Sequence, residues 1–511
     1  MNAMANGIPW LTIITVLPVV GAAIALFSGK HARGVAQITG VIAFVLSLAI
    51  WLHLPGDGSI GLEELHTNWV PSLGIQYHLG VDGLGALMVV LSALVTLMSI
   101  DAAHRVHHEP GLFFALVLLL EAGLFGSFTA LNFFHWFLFW ELSLIPAFFL
   151  IKLWGGPKRG PAATQFFVYT MAGSVALLLS FLAVFYSTGS MEFGDLAAMA
   201  ASGTLAQQVT AHLGPVMMWL AIGVLAGFAV KVPLAPFHTW LPAAYAEAPS
   251  PVTMLLTGAM SKMGVYGLLR IALPLFGQQI AQIRTPLLVL AVITVVMGAW
   301  AAAAQKDLKR LFAYSSVNHL GYCLLGIFAI AVPGGANVAV GASQAAALNG
   351  VILQMFNHGL TAAALFWFVA MIQFRSGGLR GIDDFGGLRK PAPVFAGLMG
   401  IALFSSLGLP GLNGFVGEFL IFRGVFTLSW VAASVSVLGL LVTAAVILTV
   451  IQKVFTGPVP EHWAKFPDLH GGERSGMAPV IGLMFLLGIV PQLIVEHVNP
   501  TVEYLLAHWR F

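Results

Sequence analysis

Long apolar runs dominate this chain and decide its fold class. A helix that crosses the hydrocarbon core of a bilayer needs about 20 apolar residues, and runs of that length recur throughout the 511-residue sequence. Only 8% of the residues are charged, which lies outside the range of soluble globular proteins. The sequence therefore predicts an all-α polytopic membrane protein with about fourteen transmembrane helices.

The predicted spans follow these runs, and the hydrophilic segments between them are too short for a soluble domain. A re-entrant stretch, 233 to 250, is predicted after the seventh span. The fourteen predicted spans are 7 to 28, 36 to 54, 81 to 100, 112 to 131, 132 to 153, 163 to 188, 211 to 232, 251 to 275, 285 to 304, 310 to 332, 345 to 374, 393 to 430, 431 to 453 and 476 to 497.

Lysine and arginine are distributed unevenly between the loops, and this predicts an orientation. Short basic loops remain in the cytoplasm, so both termini are predicted on the outer side. The first span has no basic residue before it and is longer than a signal-peptide core, so it is predicted to be uncleaved. The basic loops carry Lys30 and Arg33; Arg105; Lys152, Lys158 and Arg159; Lys306, Lys309 and Arg310; and Arg375 to Lys390.

Two predicted spans are interrupted by proline and glycine, and each carries an ionisable residue beside the break. These are Lys231 in GFAVKVPLAPFHTWLP and Glu418 in GLPGLNGFVGEF. Broken helices at corresponding places in two halves are typical of transporters. The span count makes the two broken elements antiparallel, which predicts two inverted repeats. The predicted division is an N-terminal three-helix segment 1–110, a first repeat 111–276, a second repeat 277–455 and a C-terminal segment 456–511.

Among the charged residues within predicted spans, Glu141, Lys231 and Lys262 are candidates for an ion route. A charge at mid-bilayer depth costs roughly 2.5 to 3.5 kcal/mol, so such residues usually line a hydrated route through the protein. Burial and a neighbouring lysine act on a carboxylate in opposite directions, so small movements can switch a Glu–Lys pair. Simpler interpretations stay open: Glu141 in a static ion pair, and Lys231 reaching the cytoplasmic surface.

Histidines in spans 10 and 11 could extend such a route. His319 and His358 lie among small or polar residues, and a neutral histidine can both donate and accept a proton. The same pair could bind a haem axially, although no haem-type motif accompanies it. His238, after the first break, is predicted either to link Lys231 to Lys262 or to make a structural hydrogen bond.

Three further acids and the lone cysteine complete the candidates. Glu418 follows a stretch whose irregular backbone is tolerated only where protein or a cavity covers it, whereas Glu121 is predicted to be structural or secondary and Glu247 to be solvated. Cys323 is the single cysteine, which excludes a cysteine-ligated iron–sulfur cluster within the chain. No nucleotide-binding glycine motif is present, and a net charge of +2 suggests no nucleic-acid partner. The sequence predicts a chain that moves ions and holds no cofactor or metal.

Several motifs together resemble a known family. They are FLFWELSLIPAFFLIKLWGG, AVKVPLAPFHTWLP, YGLLR, DLKRLFAYSSVNHLGY, NHGLTAAALF and LPGLNGFVGEF, and they are similar to the M-type antiporter-like subunits of bacterial proton-pumping NADH:quinone oxidoreductase, respiratory complex I. Glu418 stands where the L and N relatives carry lysine, and the chain ends soon after span 14, which favours the M type.

The resemblance implies roles for residues and partners. It implies that Glu141 and Lys231 couple conformational change to protonation, that Lys262 and His319 pass the proton, and that Glu418 releases it. It implies L-type and N-type neighbours in a bacterial cytoplasmic membrane, with FMN, iron–sulfur clusters and quinone in other subunits. Gln165 and Ala243 depart from the family pattern, which argues against an input role for span 6 or the following loop and leaves the residues of that path intact.

Two other classes of function stay open on the sequence. A multi-subunit cation/proton antiporter, or the membrane arm of a hydrogenase, would use similar spans and charges. A non-conducting scaffold subunit would use the buried charges structurally.

Overall fold

The computed structural model describes residues 7–71, 75–333 and 338–511. Its first half contains the helices α1 (Trp10–Phe27), α2 (Ala32–Leu52), α3 (Gly83–Ala102), α4 (Pro110–Thr129), α5 (Phe133–Trp154), α6 (Arg159–Thr188), α7 (Phe193–Ser202), α8 (Thr204–Leu213), α9 (Met217–Lys231), α10 (Trp240–Glu247), α11 (Ser250–Leu255), α12 (Lys262–Gly267) and α13 (Leu273–Gln282). The second half contains α14 (Arg284–Ala303), α15 (Leu308–Ile330), α16 (Val338–Arg375), α17 (Pro393–Ser406), α18 (Asn413–Leu428), α19 (Trp430–Val450), α20 (Gly471–Ile489) and α21 (Gln492–His508).

The all-α, multi-pass membrane fold predicted from the sequence is confirmed. Within the residues that the structure describes, 11 helices or joined helices are long and apolar enough to cross a membrane, and two bent pairs raise the number to 13. The bent pairs are α8 with α9, at 106°, and α20 with α21, at 62°. The predicted span 393 to 430 consists of the shorter helices α17 and α18 and falls outside this number. The count of about fourteen therefore stays a prediction, as does the division at residues 110, 276 and 455.

Both predicted helix breaks are present. Helix α9 ends at Lys231, and an irregular segment that contains Pro233 and Pro236 precedes α10, because proline lacks the amide that a continuing helix needs. Between α17 and α18, Gly408 and Gly411 have φ of +78° and +92°, a left-handed backbone that glycine adopts without steric cost.

The eighth predicted span, 251 to 275, is less regular than the sequence suggested. Two π-helical segments, Leu256–Met260 and Leu268–Ala272, flank the short helix α12 that begins at Lys262. Such wide turns occur mostly as single insertions in α-helices and often at functional sites. Nothing in the apolar pattern of this span distinguishes these segments from an ordinary helix.

The loop predicted between spans 2 and 3 contains a β-hairpin, β1 (Leu62–Val70) paired antiparallel with β2 (Ile75–Val81). His78 of β2 contacts two carboxylates, Glu63 through Nε2 and Glu192 through Nδ1, each at 2.6 Å. Burial opposes protonation of His78, but the bonds to Glu192 and Glu63 outweigh it and raise its pKa above 6.5. A neutral imidazole has one N–H donor, so the two contacts together favour the protonated ring.

Other departures concern segment ends. The predicted start of span 7 at 211 is wrong, because α8 is a separate helix and α9 begins at Met217. The last predicted span, 476 to 497, corresponds to α20, which ends at Ile489 before the bend into α21.

Burial is concentrated in the middle of the bundle. The most hydrophobic stretches of α16 and of the segment Ser250–Gln282 are completely buried, and that of α15 is 94% buried, compared with 39% for α1 and α2. A helix that is apolar on all sides and enclosed by protein belongs to the core. The helices that carry Lys262, His319 and His358 are therefore the ones least exposed to lipid.

Candidate ion path

Four buried ionisable side chains from four different elements, α12 of the first half and α15, α16 and α18 of the second half, form a continuous chain. Lys262 Nζ lies 2.8 Å from His358 Nδ1, and the rings of His358 and His319 have centroids 5.3 Å apart. His319 Nδ1 lies 3.0 Å from Glu418 Oε1. Each of these residues is at most 7% exposed. We call this set, Lys262, His358, His319 and Glu418, the central chain.

The π-helical segment before α12 positions the lysine. Lys262 Nζ donates to the Thr257 carbonyl and, at 3.4 Å, to Ser261 Oγ. Thr257 Oγ1 also lies 3.0 Å from Ser316 Oγ of α15. A buried ammonium must be hydrogen-bonded or paired to offset its desolvation, and here the helix's own backbone supplies part of that requirement.

Neutral polar side chains, which were not among the predicted site residues, surround the acidic end of the chain. Gln354 of α16 donates to Glu418 Oε1 at 3.4 Å and lies 3.4 Å from His319 Nδ1. Ser406, the last residue of α17, lies 3.3 Å from His319 Nε2. These contacts hold the imidazole between α16, α17 and α18.

The second helix break is secured by an amide network. Asn413, the first residue of α18, donates to Asn357 and Thr361 of α16 and accepts from Ser405 Oγ at 2.6 Å. Gly414 is equally constrained, because a Cβ there would lie 1.9 Å from the Ser405 carbonyl oxygen. The asparagine in LPGLNG is the one sequence signal that could have identified this network, since a buried amide requires partners.

Glu141 and Lys231 occupy neighbouring positions in the first half, but in a looser arrangement. Lys231 Nζ lies 3.5 Å from Ser143 Oγ and 4.6 Å from the centre of the Trp140 ring, so the cation faces the helix that carries Glu141. Glu141 is half-buried, and its Oε1 has no hydrogen-bond partner. The ion pairs found among the described residues, within 4.0 Å, do not include these two. We call Glu141, Lys231 and their contacts the first-half cluster.

Close backbone packing, rather than a hydrogen-bonded chain, joins the two regions. A Cβ on Gly264 of α12 would lie 3.2 Å from Lys231 Cβ and 2.6 Å from Val232 Cγ2. His238, predicted as one possible link, is 9% exposed and its Nδ1 has no hydrogen-bond partner. The structure therefore brings the elements of Lys231 and Lys262 together without a contact through this histidine.

The two remaining acids have contrasting surroundings. Glu121 of α4 is completely buried with Thr96 as a polar neighbour, and neither carboxylate oxygen has a hydrogen-bond partner within standard geometry. Glu247 is 7% exposed, accepts from the Lys158 amide at 2.9 Å and lies 3.8 Å from Arg380. Glu247 is thus bonded to protein, although it also lines an open cavity of about 490 Å³.

The fold and these buried groups define a class of protein: antiporter-type membrane proteins, in which broken helices place charged side chains at mid-membrane depth. Residues 130–445 match the family model described as "NADH:quinone oxidoreductase/Mrp antiporter, TM". Because this match spans more than half of the chain, the chain belongs to that family, as the sequence motifs indicated.

Individual relatives are similar over almost their whole lengths. NADH-quinone oxidoreductase subunit M of Mycobacterium tuberculosis (strain ATCC 25618 / H37Rv) is 32% identical, covering 98% of this chain and 94% of the relative. NAD(P)H-quinone oxidoreductase chain 4 1 of Synechococcus sp. (strain JA-2-3B'a(2-13)) is 38% identical, covering 98% and 93%. A chain of respiratory complex I from Thermus thermophilus with bound NADH superposes with a TM-score of 0.85 at 29% identity, covering 98% and 99%.

Proposed function

We propose that this chain is the M-type, proton-translocating membrane-arm subunit of an NADH:quinone oxidoreductase. The observation that carries the proposal is the central chain, in which contacts of 2.8 Å and 3.0 Å flank two facing imidazole rings. Groups at these separations can exchange protons directly or through one water. The whole-length similarity to subunits named M or chain 4 supports the assignment to this enzyme.

Proton movement along the central chain follows from the donors and acceptors. The Lys262 ammonium donates to His358 Nδ1, whose ring can release a proton from its other nitrogen towards His319. His319 in turn donates to the Glu418 carboxylate. Movement of a proton against about 150 mV takes about 3.5 kcal/mol, since each 100 mV costs about 2.3 kcal/mol per charge. A modest change in the charge near Lys262 is sufficient to supply that free energy.

The first-half cluster is proposed to deliver that change. Lys231 is held by a hydroxyl and an aromatic face, and Glu141 has an oxygen without a partner. A small rotation could therefore bring the two charges together or separate them. Because α9 packs against Gly264, two residues beyond Lys262, motion of Lys231 is transmitted to the central chain.

The remaining assignments follow from the same proposal. The electron-transfer reactions, with FMN, iron–sulfur clusters and quinone, take place in other subunits, and L-type and N-type subunits are the lateral neighbours. The membrane is the bacterial cytoplasmic membrane, with both termini on its outer side and the basic loops in the cytoplasm.

The test is proton pumping and NADH:quinone electron transfer in vesicles that contain the assembled complex with Lys262→Ala. Lys152→Ala is the matched control, because that lysine is exposed at the end of α5. We expect loss of pumping with Lys262→Ala and normal pumping with Lys152→Ala. Native electrophoresis verifies assembly in both variants. Unchanged pumping would contradict the proposal, and wild-type membranes without NADH oxidation would favour an antiporter or hydrogenase subunit.

A further inference from the structure

Two separate cavities lie along one face of α15. The outer cavity, about 490 Å³ and open to the surface, is lined by Lys309, Glu247 and Gln373 among others. The inner cavity is much smaller, about 20 Å³, and is lined by Phe312, Ser316 and the central chain's histidines and Glu418. A volume of that size holds about one water molecule. The outer cavity belongs to the face that carries the basic loops.

Helix geometry places an aromatic residue between the two cavities. Lys309 and Ser316 are seven residues apart on α15, which puts them on one face about 10 Å apart along the axis. Phe312 lies between them, is 2% exposed, and lines the inner cavity. The lysine ammonium of the outer cavity bonds to the Ala248 carbonyl.

Helix α16 repeats this arrangement in the opposite direction. Gln373 lines the outer cavity and Ala362 the inner one, with the completely buried Phe366 between them. Phe366 contacts Phe312 and Tyr245, with ring centroids 6.2 Å apart in each case. Tyr245 is also fully buried and directly precedes the α10 residues that line the outer cavity. Three rings from three helices thus form one layer.

We propose that Phe312, Phe366 and Tyr245, here called the aromatic layer, form a dry gate between the cytoplasmic cavity and the central chain. The two phenylalanine rings are apolar, and the Tyr245 hydroxyl donates to the Leu256 carbonyl. The layer therefore excludes the water chain that a proton needs, and a hydrophobic constriction can gate by dewetting. The layer closes the route in this structure, and displacement of Phe312 joins the two cavities. The inference rests on the proposed function for the direction of proton flow, but not for the position of the barrier.

Accessibility of a single thiol tests the barrier without reference to pumping. In the assembled complex with Cys323→Ala, Ser316→Cys and Gln373→Cys are introduced separately. A membrane-impermeant methanethiosulfonate is added to vesicles whose basic face points outward, and mass spectrometry of the subunit measures modification. We expect modification of Gln373→Cys in every background, and of Ser316→Cys only when Phe312→Ala is also present. Modification of Ser316→Cys with Phe312 intact would overturn the gate.

Phe328→Ala is the matched control for the aromatic deletion. Phe328 is a buried phenylalanine on the same helix, but it lines an apolar pocket formed with α9 and α14 residues. Phe312→Ala, unlike Phe328→Ala, is expected to accelerate the decay of a pre-formed pH gradient once NADH is exhausted. Equal decay in both variants would overturn the gate. If Lys262→Ala leaves pumping unchanged, the proposed function is wrong. The thiol modification still shows whether the aromatic layer blocks access from the outer cavity to the inner one.

Discussion

The first-half cluster and the central chain use the same kinds of residue in opposite ways. In the central chain, each ionisable group lies within hydrogen-bond or ring contact of the next. In the first-half cluster, Lys231 is held by Ser143 and Trp140, and Glu141 is left half-buried. The contrast is consistent with the proposed division of roles, in which connected groups transfer protons and loosely held charges respond to movement of their helices.

The largest expected effect comes from breaking the central chain at its middle. His358→Ala removes the acceptor 2.8 Å from Lys262, and loss of a positioned proton-transfer group typically costs on the order of 100-fold in rate. The proton pumping rate of the assembled complex measures this change. His135→Ala is the control, since His135 is also buried but lies at the start of α5, outside the chain. Equal losses in the two variants would show that buried histidines serve packing alone.

A smaller loss is expected when the first-half cluster is neutralised. Glu141→Gln keeps the shape of the side chain and removes the charge, so the coupling between Lys231 and the central chain weakens. Coupling energies of 1 to 3 kcal/mol correspond to changes of about five-fold or more, and we expect a decrease of about five-fold in both electron transfer and pumping. Glu121→Gln, the buried acid of α4, is the comparison and should retain near-normal rates. Normal rates of electron transfer and pumping for Glu141→Gln would show that the first-half cluster has no part in proton translocation.

The contact between the two regions can be tested through its packing. Gly264→Ala would place a Cβ 2.6 Å from Val232 Cγ2 and 3.1 Å from the Val232 amide nitrogen, and such overpacking costs about 1 to 3 kcal/mol. We expect a lower midpoint of thermal unfolding for the purified complex. Gly400→Ala of α17, where no atom beyond the helix's own nearby backbone lies within 4 Å of the new Cβ, should leave the midpoint unchanged or raise it. A normal midpoint and a normal ratio of pumping to electron transfer for Gly264→Ala would show that packing at Gly264 does not connect the first-half cluster to the central chain.

The smallest effect is expected outside the membrane, at the hairpin. The pKa of His78 is raised above 6.5 in the folded chain, so its contribution to stability is complete below 6.5 and disappears as the pH rises through the folded-state value. The protection factors of the β2 amides, which correct the exchange rates for the intrinsic pH dependence of exchange, should therefore be higher below pH 6.5 than above the raised pKa. His78→Asn should abolish this difference, and a pH-independent pattern in the wild type would contradict the assignment.

The sequence predicted the parts of this fold that depend on local chemistry. Apolar length located the membrane spans, and proline and glycine located both breaks, because these effects act within a few residues. The hairpin, the bend before α21 and the wide turns around Lys262 escaped prediction. They depend on pairing and packing with residues far along the chain, and the apolar pattern around them is uninformative.

The same distinction applies to the site. Lys262, His319 and Glu418 were predicted because an ionisable residue inside an apolar run is conspicuous. That His358 would contact Lys262 could not be predicted, since 96 residues separate them and only the packing of α12 against α16 brings them together. Gln354 and Asn413 were not predicted, because a neutral amide in an apolar run is less conspicuous than a charged residue.

The π-helical segments on either side of Lys262 each contain one more residue than an α-helical turn. A π-turn holds one residue more than an α-turn, so migration of the extra residue along the helix rotates each residue it passes by about 100°. Lys262 stands between two such insertions, at Leu256–Met260 and Leu268–Ala272. Such a migration would turn the lysine towards or away from His358 while both ends of the span stay anchored in the bundle, so the proposed ion route would open by a twist of one segment instead of a displacement of whole helices.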